Sequence, residues 1–180
     1  STGKPNNLTS LDLSTNTGLR IIQLNGNQLS SIDLSNKIDL TELHLDGNLF
    51  SSIDVSNNTN LNRLGLNYNQ LTSLDISNNI NLTRLEAQSN NIAEIDLSNN
   101  TMLNYLEVSN NPISSLDLSS NTLLNTLLAN DLLLTGIDLS SNTLLTHVYV
   151  HENQIPSIDL TNNVNIEVLW VQENQIETID

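Results

Sequence analysis

Aliphatic residues recur along the chain at a fixed step. The leading one of each group falls at Leu19, Leu40, Leu61, Leu82, Leu103, Leu124, Leu145 and Ile166, always 21 residues on, with no insertion or deletion. Each unit reads LxxLxLxxNxLxxLDLSNNxx with small changes, as in LNRLGLNYNQLTSLDISNNIN from Leu61. A unit divides into two related halves. Leu61, Leu64, Leu66 and Asn69 mark the first; Leu71, Leu74, Ile76 and Asn79 mark the second. Both halves alternate apolar and polar positions at period two, which is the pattern of a strand whose successive side chains face opposite ways. The spacing predicts one strand per first half, a short strand or extended turn per second half, and little or no helix.

One such unit cannot bury its own leucines. Stacking units lays each leucine column on the next and closes a continuous core. Two asparagine columns fit the same geometry: Asn27, Asn48, Asn69, Asn90, Asn111, Asn153 and Asn174, and Asn16, Asn58, Asn79, Asn100, Asn121, Asn142 and Asn163. An inward amide both donates and accepts, so it can satisfy backbone groups that a sharp turn would strand indoors. Leu132 interrupts the first column and Lys37 the second. At Leu132, next to the small Ala129, the turn around Asp131–Leu133 is expected to shift, with apolar contact in place of amide hydrogen bonds. Phe50 stands where other units carry Leu29 or Leu71 and reads as core.

The repeated LxxLxLxxN is similar to the leucine-rich-repeat signature. The nested 21-residue form with LDL in its second half resembles the repeats of bacterial internalin-like cell-surface proteins. The resemblance runs from Leu8 to Asp180. It implies a curved leucine-rich-repeat solenoid with a parallel β-sheet on the concave face, short strands or extended turns on the convex face, and binding of proteins, or sometimes glycans, by side chains on the sheet. Residues 1–180 read as a single domain of about eight units, with a first half-unit at 8–18 and full units from Leu19. No helical cap precedes Leu8 and no closing domain follows Asp180, so the chain reads as a fragment of a longer protein. Unshielded end strands would permit end-to-end homodimers.

Composition narrows the partners. Five Lys and Arg against 20 Asp and Glu give a formal charge of −15. That field repels phosphate backbones and anionic membrane surfaces, so neither nucleic acid nor a membrane is an expected partner. No run of 18 apolar residues supports membrane insertion. Cysteine is absent, which removes disulfides, thiolate metal sites and thiol nucleophiles. The start at STGKPNN lacks an initiator Met and a signal peptide. The abundance of Asn, Ser, Thr and Asp with little Lys points to an exported bacterial protein, extracellular or on the cell surface.

Residues 21 apart become lateral neighbours, about 4.8 Å from one another. Second-half positions are monotonous, with Asp at 12, 33, 54, 75, 96, 117, 138, 159 and 180. The outward first-half positions vary instead. They form three columns: Ile21, Glu42, Arg63, Arg84, Tyr105, Thr126, His147, Val168; Gln23, His44, Gly65, Glu86, Glu107, Leu128, Tyr149, Trp170; and Asn25, Asp46, Asn67, Gln88, Ser109, Asn130, His151, Gln172. All three histidines and the one Trp lie in them. Leu128, Tyr149 and Trp170, flanked by His147, His151, Val168 and Gln172, with Tyr105 further along, form the candidate ligand patch. Large rigid rings bury area at low entropic cost. Burial under a neighbouring domain is the competing reading. Arg63 and Arg84 form a second candidate, for an anionic group, unless Glu86 and Glu42 neutralise them.

Other chemistry is disfavoured. Hard oxygen ligands would suit calcium, but a column offers about one carboxylate per 4.8 Å and no cage of six to eight ligands. Each Asp can serve its own turn instead. His147 and His151, four residues apart on a strand, are too far apart to share a metal. No cofactor is expected, calcium being the one metal the composition would admit. No nucleophile motif or phosphate loop is present, so the chain is not expected to be an enzyme. The expected function is a non-enzymatic module that binds a protein through its sheet. The alternatives are polysaccharide binding on a Tyr149/Trp170 platform, or a structural spacer.

Overall fold

The computed structural model describes residues 6–180. Each unit from Leu19 places three residues in a strand: β1 Ile21–Gln23, β2 Glu42–His44, β3 Arg63–Gly65, β4 Arg84–Glu86, β5 Tyr105–Glu107, β6 Thr126–Leu128, β7 His147–Tyr149 and, after the short β8 Ser157–Ile158, β9 Val168–Trp170. The eight first-half strands form one parallel sheet in the order β1-β2-β3-β4-β5-β6-β7-β9. The register is the sequence repeat itself: Leu64 faces Leu85, Leu85 faces Leu106, and Tyr149 faces Trp170. No helix occurs among the described residues. Second halves run as extended turns until the last two, where β8 pairs with β10 Thr178–Ile179.

The core is a stack of aliphatic layers. The central residues of β2 to β7, Leu43, Leu64, Leu85, Leu106, Leu127 and Val148, are fully buried, as are Leu61, Leu66, Leu71 and Phe50. Phe50 takes a leucine's place in the core.

The two asparagine columns are buried apart from exposed Asn16 and half-buried Asn174 at their ends, but they bond differently. In the first, Asn90 accepts from the Leu71 amide at 3.0 Å and donates to the Leu66 and Ala87 carbonyls at 2.9 and 3.1 Å. In the second, Asn100 donates to the Ile76 and Asn79 carbonyls at 3.1 and 3.0 Å. Its Oδ1 accepts nothing, and the same holds for Asn58, Asn79, Asn121, Asn142 and Asn163. Lys37 enters this second column wholly buried, and its ammonium donates to the Leu13 carbonyl at 2.9 Å and to Asn36 Oδ1. Asn58 reaches the corresponding carbonyl one unit on, Leu34, in the same way. Lys37 thus does the donating half of an amide's work.

Leu132 does not shift its turn, contrary to the sequence expectation. Asp131 has φ 53°, within a few degrees of Asn110 and Glu152 on either side. Leu133 N donates to Ile113 O at 2.8 Å, as Asn91 N does to Leu71 O. The turn's backbone bonds to its neighbouring units hold it in place. What changes is local: Leu132 offers the Ile113 amide no side-chain acceptor, and the leucine fills the space at 4% exposure.

One further position repeats. Gly26, Gly47, Tyr68, Ser89, Asn110, Asp131, Glu152 and Glu173 all have φ between 53° and 69°. The chain leaves each of the eight strands of the main sheet through a left-handed residue, and only the first two units use glycine, which bears that conformation without strain.

Candidate functional site

The three outward columns run along the exposed side of the sheet. At its C-terminal end β6, β7 and β9 bring Leu128, Tyr149 and Trp170 into register. The Tyr149 and Trp170 rings meet edge to face, with centroids 5.1 Å apart. His151 tilts against the other side of Trp170 at 5.6 Å. Trp170 remains 49% exposed, while Leu128, Tyr149, His147, His151 and Val168 are half-buried. Gln172 lies exposed beside them. The rings hold one another in place, so the surface exists before any partner arrives. His147 Nδ1 is tied to Thr146 Oγ1 at 2.8 Å. The buried Nδ1 of His151 has no partner, and its Nε2 stands 3.9 Å from Glu152.

The middle of the face is polar and knitted together. Arg84 bonds Glu86 at 2.8 Å and lies 3.4 Å over the Tyr105 ring, whose hydroxyl donates to Glu107 at 3.2 Å. Burial, with Glu107 close by, pushes the Tyr105 phenol up to about 12. Burial also raises the Glu107 and Asp46 carboxyls. Asp46 Oδ1 accepts the Asn67 amide at 2.8 Å, just as Asn25 and Asn67 accept amides one strand on. Gly65 opens space between these groups: a Cβ there would meet Asp46 Oδ2 at 3.0 Å and His44 Nδ1 at 3.2 Å.

The two arginines therefore differ. Arg84 is engaged by Glu86 and Tyr105. Arg63 is exposed and has no carboxylate within 4.0 Å among the described residues; Glu42 turns to His44 at 3.5 Å instead. Among the described residues no three His, Asp or Glu side chains converge as a metal site would require. The aspartate column serves its turns: Asp54 Oδ1 accepts the Ser56 hydroxyl at 2.6 Å and its amide at 2.9 Å. Those two bonds hold the Asp54, Asp75, Asp96, Asp117 and Asp138 carboxyls below the ordinary range. One surface hollow lies between successive second-half turns, at Ser115–Ser119 with Gly136–Asp138, and another runs along Arg20, Thr41 and Asn62; neither is lined by the patch.

Sequence reasoning missed the row beside the patch. Asp131, Glu152 and Glu173 stack at the left-handed position, all exposed. The available signal was three acids in succession at a spacing of 21 residues, in a position that opens with glycine in the first two units.

Eight parallel strands, one per 21-residue unit, backed by asparagine ladders and a leucine core, define a leucine-rich-repeat solenoid. Its fold is similar to that of bacterial internalins and other leucine-rich-repeat proteins. No family model and no curated protein matches in sequence; the likeness is to solved structures. The functional domain of InlJ from Listeria monocytogenes is 25% identical with a TM-score of 0.71, covering 97% of this chain and 58% of its own. Internalin C2 of Listeria monocytogenes is 28% identical with a TM-score of 0.75, covering 90% and 71%. A chain of the octameric complex of Latrophilin 3, Unc5D and the leucine-rich repeats of FLRT2 is 26% identical with a TM-score of 0.77, covering 91% and 56%. The chain thus spans little more than half the length of two of these three. No helix among the described residues is long and apolar enough to cross a membrane.

Proposed function

We propose that this chain is a non-enzymatic recognition module of an exported bacterial protein and binds a protein partner on its sheet. Leu128, Tyr149 and Trp170 form the anchor, with His147, His151, Val168 and Gln172 around them and Tyr105 toward the centre. The observation that carries the reading is the half-exposed Trp170, braced edge-on by Tyr149 on a rigid sheet. A preformed aromatic surface loses little freedom when a partner docks, so more of the contact energy appears as affinity. Similarity to internalins, and to a leucine-rich-repeat chain of a multi-protein complex, supports a protein partner. Exposed Arg63 is offered as a secondary contact for an anionic group; Arg84 would have to release Glu86 to join it.

Trp170→Ala tests the assignment. The immobilised chain and this variant are screened side by side against an array of purified extracellular protein domains and a glycan array. Loss of an aromatic anchor costs about 2 kcal/mol or more, so protein binding should weaken at least tenfold. Protein binding that survives the substitution refutes the patch. Trp170-dependent binding of glycans alone refutes the protein reading, and no binding by the intact chain favours a spacer.

A further inference from the structure

The chain's charge is segregated, and the patch lies wholly in one part. Residues 1–84 carry all five Lys and Arg together with seven acids, whereas residues 85–180 carry 13 acids and no Lys or Arg. Of the formal charge of −15, nearly all belongs to the C-terminal half. Leu128, Tyr149 and Trp170 are therefore an apolar surface without a Lys or Arg in their own units or the units before and after.

Carboxylates border that surface. Asp131, Glu152 and Glu173 occupy the same position in the three successive units that supply Leu128, Tyr149 and Trp170, and all three are exposed. The row is close to the rings: Glu152 stands 3.9 Å from His151, whose ring lies 5.6 Å from Trp170. At the inner end, Glu107 sits directly across the register from Leu128. Burial, joined by the nearby Glu86, outweighs the Tyr105 hydroxyl and Arg84 and raises the Glu107 carboxyl, so a further cation would stabilise its ionised form. Exposed Glu167 adjoins Val168 on the remaining side.

We infer that the partner's docking segment is basic: a polypeptide that sets an aromatic or aliphatic side chain against Tyr149 and Trp170 and flanks it with Lys or Arg facing Asp131, Glu152, Glu173 and Glu107. This rests on the recognition reading above and specifies its partner. Such a field also speeds encounter with a basic surface and repels acidic ones. Long basic side chains suit the spacing, because the acid row and the ring column run side by side over the same three units, each about 4.8 Å from the next.

The test uses the intact chain and a displayed library of random 12-residue peptides, counter-selected on Trp170→Ala. Trp170 is the chain's one tryptophan, so its fluorescence reports binding at the patch for each synthesised peptide. The expected result is enrichment of peptides with Lys or Arg around an apolar anchor. Their affinity should fall at least tenfold between low and high salt, and at least tenfold in D131K/E152K/E173K. D131N/E152Q/E173Q should give an intermediate loss, and thermal melting establishes that both variants are folded. Trp170-dependent peptides that are neutral or acidic, or affinities changed less than twofold by the charge reversal, overturn the basic partner and leave the patch standing. Absence of any Trp170-dependent peptide, with or without Trp170-dependent binding on a glycan array, overturns the protein reading and this inference with it.

Discussion

Replacing one asparagine in each ladder by alanine should separate the two columns energetically. Asn90 is the side-chain acceptor for the Leu71 amide, which belongs to a fully buried residue. Asn90→Ala strands that donor, at about 1–3 kcal/mol, and removes the amide's bonds to the Leu66, Ala87 and Gln88 carbonyls, its two N–H groups each worth about 0.5–1.5 kcal/mol net. None of these carbonyls is left bare, because Asn69 still donates to Leu66 O, Asn111 to Ala87 O and the Tyr68 amide to Gln88 O. The expected loss is about 2–6 kcal/mol. Asn100→Ala removes two donor bonds only. Its Oδ1 accepts nothing, Ile76 O keeps the Asn79 amide, and Asn79 O keeps the Leu82 amide. Its expected loss is about 1–3 kcal/mol. Urea denaturation followed by circular dichroism gives the two midpoints, compared at equal slope because a repeat array can unfold in parts. An Asn100→Ala loss equal to or larger than that of Asn90→Ala would refute the reasoning, since it would mean that the stranded amide is not what the first ladder prevents.

Three further outcomes follow from named side chains. Lys37→Asn should stabilise the fold by about 1–2 kcal/mol, because it removes a buried ammonium and supplies the amide that Asn58 provides one unit on; a lower melting temperature would refute this. Asp46 holds an asparagine's place in its column, and burial raises its carboxyl, so its charge opposes folding at neutral pH. Asp46→Asn should raise the melting temperature at pH 7, and the gain should shrink as the pH falls through the raised carboxyl range, where Asp46 itself becomes protonated; a gain independent of pH counts against it. The Asp54, Asp75, Asp96, Asp117 and Asp138 carboxyls are depressed by serine bonds, so their contribution is present above the ordinary carboxyl range and lost as pH falls through the depressed one. Acid titration of Asp75→Asn should therefore show a smaller loss of stability below pH about 4 than the unmodified chain.

Most of the architecture could be read from the chain because one repeat fixes everything at once. A 21-residue step with period-two alternation leaves little choice of strand, register or outward column, and the strand pairings follow it residue for residue. The same logic placed Tyr149 beside Trp170. What escaped depends on neighbours rather than on type. Identical asparagines accept an amide in one column and nothing in the other, because the backbone 19 residues earlier presents an N–H only to the first. Leu132 looked disruptive in isolation, yet its turn is held from both sides. The left-handed position was hidden by its tolerance of Tyr, Ser and Glu. Arg84's engagement over Tyr105 required knowing how two side chains fold across adjacent strands.

The asparagine spurs have a modular consequence. Each reaches back 21 to 24 residues, into the unit before its own, and the groups it meets there are backbone. A block of 21 residues can therefore be excised, duplicated or transposed without any seam noticing which side chains decorate its outer edge. Moving the block that carries Tyr149 next to the one that carries Glu86 would compose a new surface from old parts, so diversification of this protein can proceed by shuffling whole coils while the interior stays the same.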